Sequence, residues 1–375
     1  MKKYQFLNLK YTTNNYSDEI KEAVCRVIDS GRFLRGEETA LFESEMASLC
    51  ATKHCVAVSN GLDALRLTIR AYKEMGVFAD GDEIIVPANT YIASVLAITD
   101  NSLIPHFVDA DEATLNLDTS KIEEVINART RAIMPVHLYG TPCWDETLAQ
   151  LAQTYGLITI EDNAQAINAR AQYPGISGSN ITGGLGNAAA HSFYPTKNLG
   201  ALGDAGAVTT NDDDLAKTIR ALANYGAETR YHNIYAGLNC RIDEIQAAIL
   251  RVKLRHLNRE TSRRQAIANT YCKHITNPLV KKPTIFHDMQ QVWHQYPIRI
   301  EAREDFREYL KINGIETDIH YPVPPFKQPC YKEYHHIDMP VASAIASQEV
   351  SLPIAEPITT ADAEVISHII NGFDA

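Results

Sequence analysis

The chain lacks the apolar stretch of about 20 residues that a membrane-spanning helix needs. It is also poor in positive charge: 35 Lys and Arg stand against 46 Asp and Glu, a formal net charge of −11. Nucleic acids and anionic membranes attract basic surfaces, so this balance argues against both as partners. A small anionic substrate is not excluded, because a local basic pocket can exist within an acidic protein.

Patterns typical of disulfide-rich and zinc proteins are absent as well. The seven cysteines are odd in number and form no CxxC pair, and the histidines form no HExxH. The adjacent His335 and His336 are expected to be solvated rather than metal-bound. Residues 1–6 become polar too early for a signal-peptide core. We therefore predict a cytoplasmic protein with reduced cysteines and no metal site.

The 375 residues contain 45% hydrophobic and 22% charged residues, which is typical of a globular protein. In the first 250 residues, apolar runs alternate with amphipathic stretches such as 63–75 and 145–155. The predicted strands are 55–58, 83–87, 104–108, 132–136, 157–160, 188–193 and 205–209. Most of these runs are apolar on both faces, as in a parallel sheet covered by helices, and this alternation predicts an α/β fold.

The pattern changes after Arg241. Residues 242–274 have helical spacing without Gly or Pro and predict one long helix between two domains. The remainder alternates short strands and helices. We therefore predict a large α/β domain over 1–250, which includes an N-terminal arm, and a smaller α+β domain over 251–375.

Two segments at predicted strand ends carry candidate catalytic groups. The strand 157–160 runs into Glu161 and Asp162, and ligands of parallel sheets bind at the carboxyl ends of strands. Both acids could instead cap the next loop. Lys197 leaves another strand and enters a glycine-rich turn. A lysine among apolar groups has a lowered pKa and can act as an amine nucleophile, although a solvated loop lysine is the simpler interpretation.

Two further segments could bind a planar phosphorylated ligand. Gly61 lies between a strand and a helix, where free backbone N–H groups can bind phosphate, although such turns are common. Tyr91 follows a strand end and could stack on a ring or lie in the core. The G-x-G-x-x-A pattern at 184–189 resembles a dinucleotide-binding motif, but it precedes a predicted strand rather than a helix and is discounted.

Together these groups are a phosphate cradle, an aromatic ring, an acid and an amine at strand ends. Pyridoxal 5′-phosphate (PLP) needs this combination, because a lysine binds its aldehyde and an acid keeps its ring nitrogen protonated.

Four motifs carry a resemblance to a known family. They are Asn60-Gly61-Leu62-Asp63-Ala64-Leu65, Glu161-Asp162-Asn163-Ala164-Gln165-Ala166, Ser192-Phe193-Tyr194-Pro195-Thr196-Lys197-Asn198-Leu199-Gly200 and the segment 237–248. From about Phe6 to about Ile370, the chain resembles the nucleotide-sugar aminotransferases of DegT/StrS type. This resemblance implies the aspartate aminotransferase-like fold (PLP fold type I) and the cofactor PLP, with its amino form PMP.

The resemblance also implies roles for individual residues. Lys197 matches the lysine that forms the Schiff base and shuttles protons, and Asp162 matches the partner of the pyridine nitrogen. The other cofactor-binding residues implied are Gly61, Leu62 and Ser192 at the phosphate, Tyr91 as ring stacker, Gln165 at the ring hydroxyl, and Asn239 at the phosphate of the other subunit. The substrate-binding residues implied are Tyr194, His320 and Tyr321. A role for Asn239 in the other subunit makes the active protein a homodimer.

Within the family, the segment 60–65 and the segment Val292-Trp293-His294 most resemble enzymes that aminate C3 of dTDP-3-keto-6-deoxyhexoses, with L-glutamate as donor, for bacterial surface polysaccharide. Amination at C4 is the first alternative. A PLP-dependent sugar dehydratase would have histidine in place of Lys197, and a regulatory PLP-binding protein would have a degraded site. A nicotinamide-dependent oxidoreductase would need the discounted glycine motif.

Three departures from the family pattern stand out. Asn163 replaces a common Ala or Ser, Phe326 replaces a His of the sugar-pocket segment, and the loop 172–184 is long and rich in Ser and Gly. We expect the first to leave the chemistry intact and the second to alter the sugar pocket.

Overall fold

The protein is described by a computed structural model covering residues 2–374. The strands are β1 (His54–Val58), β2 (Glu83–Pro87), β3 (Ile104–Val108), β4 (Thr130–Ile133), β5 (Ile158–Asp162), β6 (Ala188–Ser192), β7 (Gly206–Thr210), β8 (Ala227–Thr229), β9 (His232–Asn233), β10 (Tyr296–Arg299) and β11 (Glu349–Leu352).

The helices are α1 (Leu9–Asn14), α2 (Ser17–Ser30), α3 (Glu37–Cys50), α4 (Gly61–Glu74), α5 (Ile92–Thr99), α6 (Ile122–Val125), α7 (Glu146–Tyr155), α8 (Asp213–Leu222), α9 (Glu244–Leu254), α10 (Leu257–His274), α11 (Arg303–Ile312), α12 (Pro340–Gln348) and α13 (Thr360–Asn371). Short 3₁₀ turns lie at Thr119–Lys121, Leu138–Gly140, Pro325–Lys327 and Pro329–Tyr334. Within residues 2–374, every helix is too short or too polar to cross a bilayer.

One seven-stranded sheet organises the first two thirds of the chain. Its spatial order is β1-β7-β6-β5-β4-β2-β3, and β7 alone runs antiparallel to the others. All seven predicted strands form this sheet, and the α/β class is confirmed. The strands read as apolar on both faces because helices cover both: α4, α5 and α8 pack on one side, and α3 and α9 on the other.

The prediction of one long helix over 242–274 is wrong. The segment forms α9 and α10, with a break at Arg255 and His256. No Gly or Pro causes this break. Instead, α2 holds the two break residues: Arg255 and His256 both contact the carboxylate of Glu19, at 2.8 and 3.1 Å, and the His256 ring stacks on Tyr16. Tertiary contacts therefore override the local helical pattern.

A second hydrophobic core lies in the C-terminal third. The antiparallel pair β10–β11 packs with α10, α11 and α13 around buried side chains such as Tyr271, Phe306 and Ile366. Tyr4 joins this core and its backbone bonds to Gly314 and Glu316. A smaller C-terminal domain remains our proposal, and residues near the N-terminus pack on it.

The loop 172–184 is anchored by a buried acid. Glu161 is fully buried and accepts hydrogen bonds from the backbone N–H groups of Gly183, Leu185 and Gly186 at 2.8 to 2.9 Å. His137 donates a fourth bond through Nε2 (2.8 Å), because its Nδ1 accepts the Cys143 N–H. Of the two acids at the end of β5, Glu161 therefore has the structural role of holding the following loop.

This arrangement predicts a large effect for Glu161→Gln. The amide has the same shape, but its NH₂ group would face an N–H donor, leaving buried donors unpaired. We expect the free energy of unfolding to fall by about 3–5 kcal/mol, measured by urea denaturation. Glu308→Gln, on the exposed face of α11, is the matched control and should change it by no more than about 0.5 kcal/mol. Equal stability of the two variants would contradict the anchoring role.

Candidate active site

The candidate site lies at the carboxyl ends of the parallel strands. Asp162 ends β5 and Ser192 ends the neighbouring β6, Gly61 begins α4 just after β1, and Tyr91 immediately precedes α5 after β2. Because these strands are parallel, their carboxyl ends share one edge of the sheet. The topology therefore brings together residues that lie up to 131 positions apart.

Lys197 lies in the turn that follows β6. Its backbone N–H donates to the Tyr194 carbonyl (2.8 Å), which closes the turn and directs the side chain to the cavity at the sheet edge. Burial lowers the pKa of its amine to about 8, and the negative charge of Asp162 limits this fall. About a tenth of the amine is therefore uncharged at pH 7, far more than for an ordinary lysine, and can act as a nucleophile or base. Lys197 therefore lies in a cavity and is not a fully solvated loop lysine.

Asp162 is held by a hydroxyl chain. The Ser94 hydroxyl donates to its Oδ2 atom (2.7 Å), and Thr90, one helical turn earlier, is 2.8 Å from Ser94. The Ala164 N–H donates to Oδ1 (3.1 Å). Asp162 is 6% exposed and lines the same cavity as Lys197. Its role is therefore not limited to capping the loop that follows β5.

The start of α4 forms a shallow cradle beside Ser192. Asn60 caps the helix by accepting the Asp63 N–H (2.8 Å), which leaves the first two N–H groups of the helix, at Gly61 and Leu62, without intrahelical partners. A Cβ at Gly61 would lie 2.6 Å from the Ser192 Cβ, so only glycine fits here. Backbone N–H groups and a hydroxyl at a helix start are suited to phosphate.

Aromatic and amide groups form one wall. The Tyr91 and Tyr321 rings pack with their centroids 5.1 Å apart. Gln165 donates to the Tyr321 hydroxyl (2.9 Å) and accepts the Tyr139 N–H (2.6 Å), which fixes its amide. Tyr194 lies on the other side of the cavity and is half exposed. The wall therefore combines flat rings with one fixed amide.

His320 is fixed by buried groups behind it. Its backbone N–H donates to Glu349 (2.6 Å), and the Ser351 hydroxyl lies between Glu349 (2.5 Å) and His320 Nδ1 (2.9 Å). Burial lowers the pKa of His320 to about 4 and raises that of Glu349 to about 8. His320 is therefore neutral at pH 7, and its Nε2 accepts a hydrogen bond from the Gln295 amide (3.4 Å), which lines the same cavity.

These groups enclose one cavity of about 480 Å³, which is in the range of small-molecule sites. Ten of the eleven predicted site residues line it: Gly61, Leu62, Tyr91, Asp162, Gln165, Ser192, Tyr194, Lys197, His320 and Tyr321. Sequence reasoning missed the lining residues Thr90, Thr196, His294 and Gln295, and it missed Ser94 behind Asp162. Only the spacing of Thr90 and Ser94 by one helical turn could have indicated their joint role.

Asn239 is the exception, because it lies exposed and does not line the cavity. It does not cap the following helix either: α9 begins at Glu244, its N-cap is Asp243, and no side chain caps it. Asn239 therefore has no capping role at this helix within its own chain.

Phe326 is placed in the core rather than in the pocket. It is fully buried, packs against Phe107 with ring centroids 6.0 Å apart, and does not line the cavity. The expected effect of this residue on the sugar pocket through direct contact is not supported. Asn163 is also buried, beside His191, and lies outside the cavity.

Comparison with known proteins identifies the family. Residues 14–371 match the DegT/DnrJ/EryC1/StrS aminotransferase family. The chain belongs to this family.

No cluster of three or more His, Cys, Asp or Glu suited to a metal ion occurs within residues 2–374.

Individual members of the DegT family are similar over nearly the whole chain. The dTDP-3-amino-3,6-dideoxy-alpha-D-galactopyranose transaminase of Aneurinibacillus thermoaerophilus is 46% identical over 368 residues, covering 98% of this chain and 99% of its own. The S. venezuelae protein DesV, solved in complex with a ketimine intermediate, superposes with a TM-score of 0.93 at 40% identity and covers 99% of this chain and 98% of its own. The Bacillus subtilis protein NtdA, solved with bound cofactor PMP, gives 0.89 at 28% identity, with 99% and 86% covered.

Proposed function

We propose that this protein is a cytoplasmic PLP-dependent aminotransferase that transfers an amino group from L-glutamate to C3 of a dTDP-3-keto-6-deoxyhexose. The product is the 3-amino-3,6-dideoxy sugar nucleotide, a precursor for bacterial surface polysaccharide. The observation that carries the proposal is the shared cavity of the Lys197 amine and the Asp162 carboxylate beside the free start of α4.

The residues of this cavity fit PLP. The cradle at Gly61, Leu62 and Ser192 is suited to its phosphate, and a side chain at position 61 would fill it. The Lys197 amine, with its pKa lowered to about 8, can bond the aldehyde. Asp162 can accept a hydrogen bond from the ring nitrogen, and Tyr91 offers a flat ring for stacking. Gln165 remains the residue proposed for the ring hydroxyl.

Bound PLP supplies an aldehyde that takes up the amino group and a ring that withdraws electrons from the reacting carbon. The residues of this chain provide the rest. Lys197 moves a proton to and from the substrate carbon, and its lowered pKa suits that task near neutral pH. Ser94 keeps the Asp162 carboxylate in place. His320, Tyr321 and Tyr194 are the proposed sugar contacts.

The substrate proposal is supported by the relative from A. thermoaerophilus, whose name describes a 3-amino-3,6-dideoxy sugar nucleotide. Its 46% identity spans almost the whole of both chains, which supports a related substrate for this protein. Amination at C4 remains the alternative, because no cavity residue on its own distinguishes the two carbons.

A homodimer with composite sites is part of the proposal. The segment around Asn239 exposes several large apolar side chains, namely Tyr225, Tyr231, Ile234 and Leu238, and Tyr231 is 87% exposed. Apolar surface of this kind is typical of an interface. A two-fold dimer would cover it and could place Asn239 at the partner's phosphate cradle.

The function is tested with purified protein, PLP, L-glutamate and a panel of 3-keto and 4-keto dTDP-sugars. Mass spectrometry with NMR of the product should show an amino group at C3. Turnover by Lys197→Ala should fall by roughly 10²–10⁴-fold or more, because acid–base catalysis by one side chain usually contributes that factor to the rate. A product aminated at C4 would favour the C4 alternative. An active Lys197→Ala protein would contradict the assignment as a PLP-dependent aminotransferase.

The composite site is tested with a mixed dimer of one Lys197→Ala subunit and one Asn239→Asp subunit, purified through two affinity tags. The new carboxylate repels the phosphate only in the site that Asn239 reaches. If Asn239 acts across the interface, both defects fall on one site, and the dimer keeps about half of the wild-type activity.

A nearly inactive mixed dimer would show that each site carries one defect and that Asn239 acts within its own chain. Asn180→Asp is the matched control, because Asn180 is exposed and its side-chain oxygen can still accept from Arg170. A mixed dimer of one Asn180→Asp subunit and one Lys197→Ala subunit should keep about half of the wild-type activity, whether Asn239 acts within its own chain or across the interface.

A further inference from the structure

Arg264 on α10 is a buried cation that no carboxylate of the described residues contacts directly, although the charges of Glu260 and Glu356 favour its charged form. It is 7% exposed, and no carboxylate within residues 2–374 forms a salt bridge with it, whereas its neighbour Arg263 pairs with Glu260 and Glu356. Burial and the charge of Arg263 lower its pKa to about 9, so it is still charged at pH 7. A buried unpaired charge is costly, which makes a ligand for this group worth seeking.

Only part of the guanidinium is used by the protein. Its Nη1 donates to the carbonyl oxygens of Trp293 (3.0 Å) and His294 (3.3 Å). Nε and Nη2 have no acceptor among the described residues, and they are not among the fully enclosed unpaired atoms. These two donors therefore reach open space although the residue as a whole is buried.

That space is a cavity of about 340 Å³ next to the candidate active site. Arg264 lines it together with Thr196, His294, Gln295 and His320, and these four residues also line the Lys197 cavity. Arg264 and Lys197 share the lining of a further small cavity of about 70 Å³. Arg264 therefore lines a cavity that adjoins the one containing Lys197.

The charge in this second cavity favours an anion. Burial, reinforced by the positive charge of Lys197, lowers the pKa of both His294 and His320, so both rings are neutral at pH 7. Asp318 is the acid that lines the cavity, and its side chain is 60% exposed to water at the rim. Arg264 is left as the charged group at the buried end.

We propose that Arg264 binds a carboxylate group of the amino-acid donor and of the keto acid that leaves, which makes it a donor-binding residue of this aminotransferase. The proposal rests on the proposed function. A guanidinium presents paired donors that match the two oxygens of a carboxylate, and charge-assisted bonds of this kind are strong. A phosphate of the sugar nucleotide offers the same chemistry, so the experiment must separate the two sources.

The test measures binding rather than turnover. Glutarate, a dicarboxylate without an amino group, and dTDP are titrated separately into the PLP-loaded protein by calorimetry. Arg264→Gln should weaken glutarate binding roughly 10- to 100-fold, the loss expected for a charge-assisted hydrogen bond, and change dTDP binding less than about twofold. Arg259→Gln, exposed on the same helix, is the matched control and should leave both affinities unchanged.

Arg264→Lys covers the case in which the glutamine variant does not fold, because the ammonium can still donate to the two carbonyl groups. It lacks the planar fork and should weaken glutarate binding by roughly three- to tenfold. Unchanged glutarate affinity in either folded variant overturns the proposal, and so does a loss confined to dTDP. Failure of the wild-type protein to aminate any sugar would instead refute the proposed function, since glutarate binding is read independently of it.

Discussion

Burial of one amine opposite one carboxylate is the constraint on which the rest of the site depends. Lys197 is desolvated, which lowers its pKa to about 8, while Asp162 across the cavity acts in the opposite direction. The lowering depends on burial of the amine at one edge of a mostly parallel sheet, which helices cover on both faces. The cradle at Gly61, the tyrosine wall and the neutral His320 are placed around that pair by the same strand ends.

The two acids of β5 show how one strand serves stability and chemistry together. Successive residues of a strand point to opposite faces, so Glu161 and Asp162 have different surroundings. Glu161 accepts three backbone N–H groups and His137 and thereby anchors the loop before β6. Asp162 points to the cavity and is held by Ser94. Anchoring one acid keeps β5 and β6 in the register that puts the other acid near Lys197.

Much of the fold and most of the site could be predicted from the sequence, because apolar runs and strand-end motifs are local signals. All seven strands of the large sheet were predicted, and ten of eleven site residues line one cavity. What failed depends on tertiary contacts: Glu19 and Tyr16 break the expected long helix, and Phe107 takes Phe326 into the core. Arg264 could not be singled out from the sequence, because only the structure shows that its guanidinium is buried without a direct carboxylate contact beside the active-site cavity.

The central claim is tested most directly by titrating the amines of cofactor-free protein through pH-dependent competitive labelling, read by mass spectrometry. Lys253 provides an internal control: burial alone lowers its pKa to about 8, whereas Asp162 also acts on Lys197. We predict midpoints near pH 8 for both amines in the wild-type protein. In Asp162→Asn, the midpoint of Lys197 should fall, because a negative charge that favours the ammonium is gone, and that of Lys253 should stay. A Lys197 midpoint near its ordinary 10.5, or one that Asp162→Asn does not lower, would contradict the account.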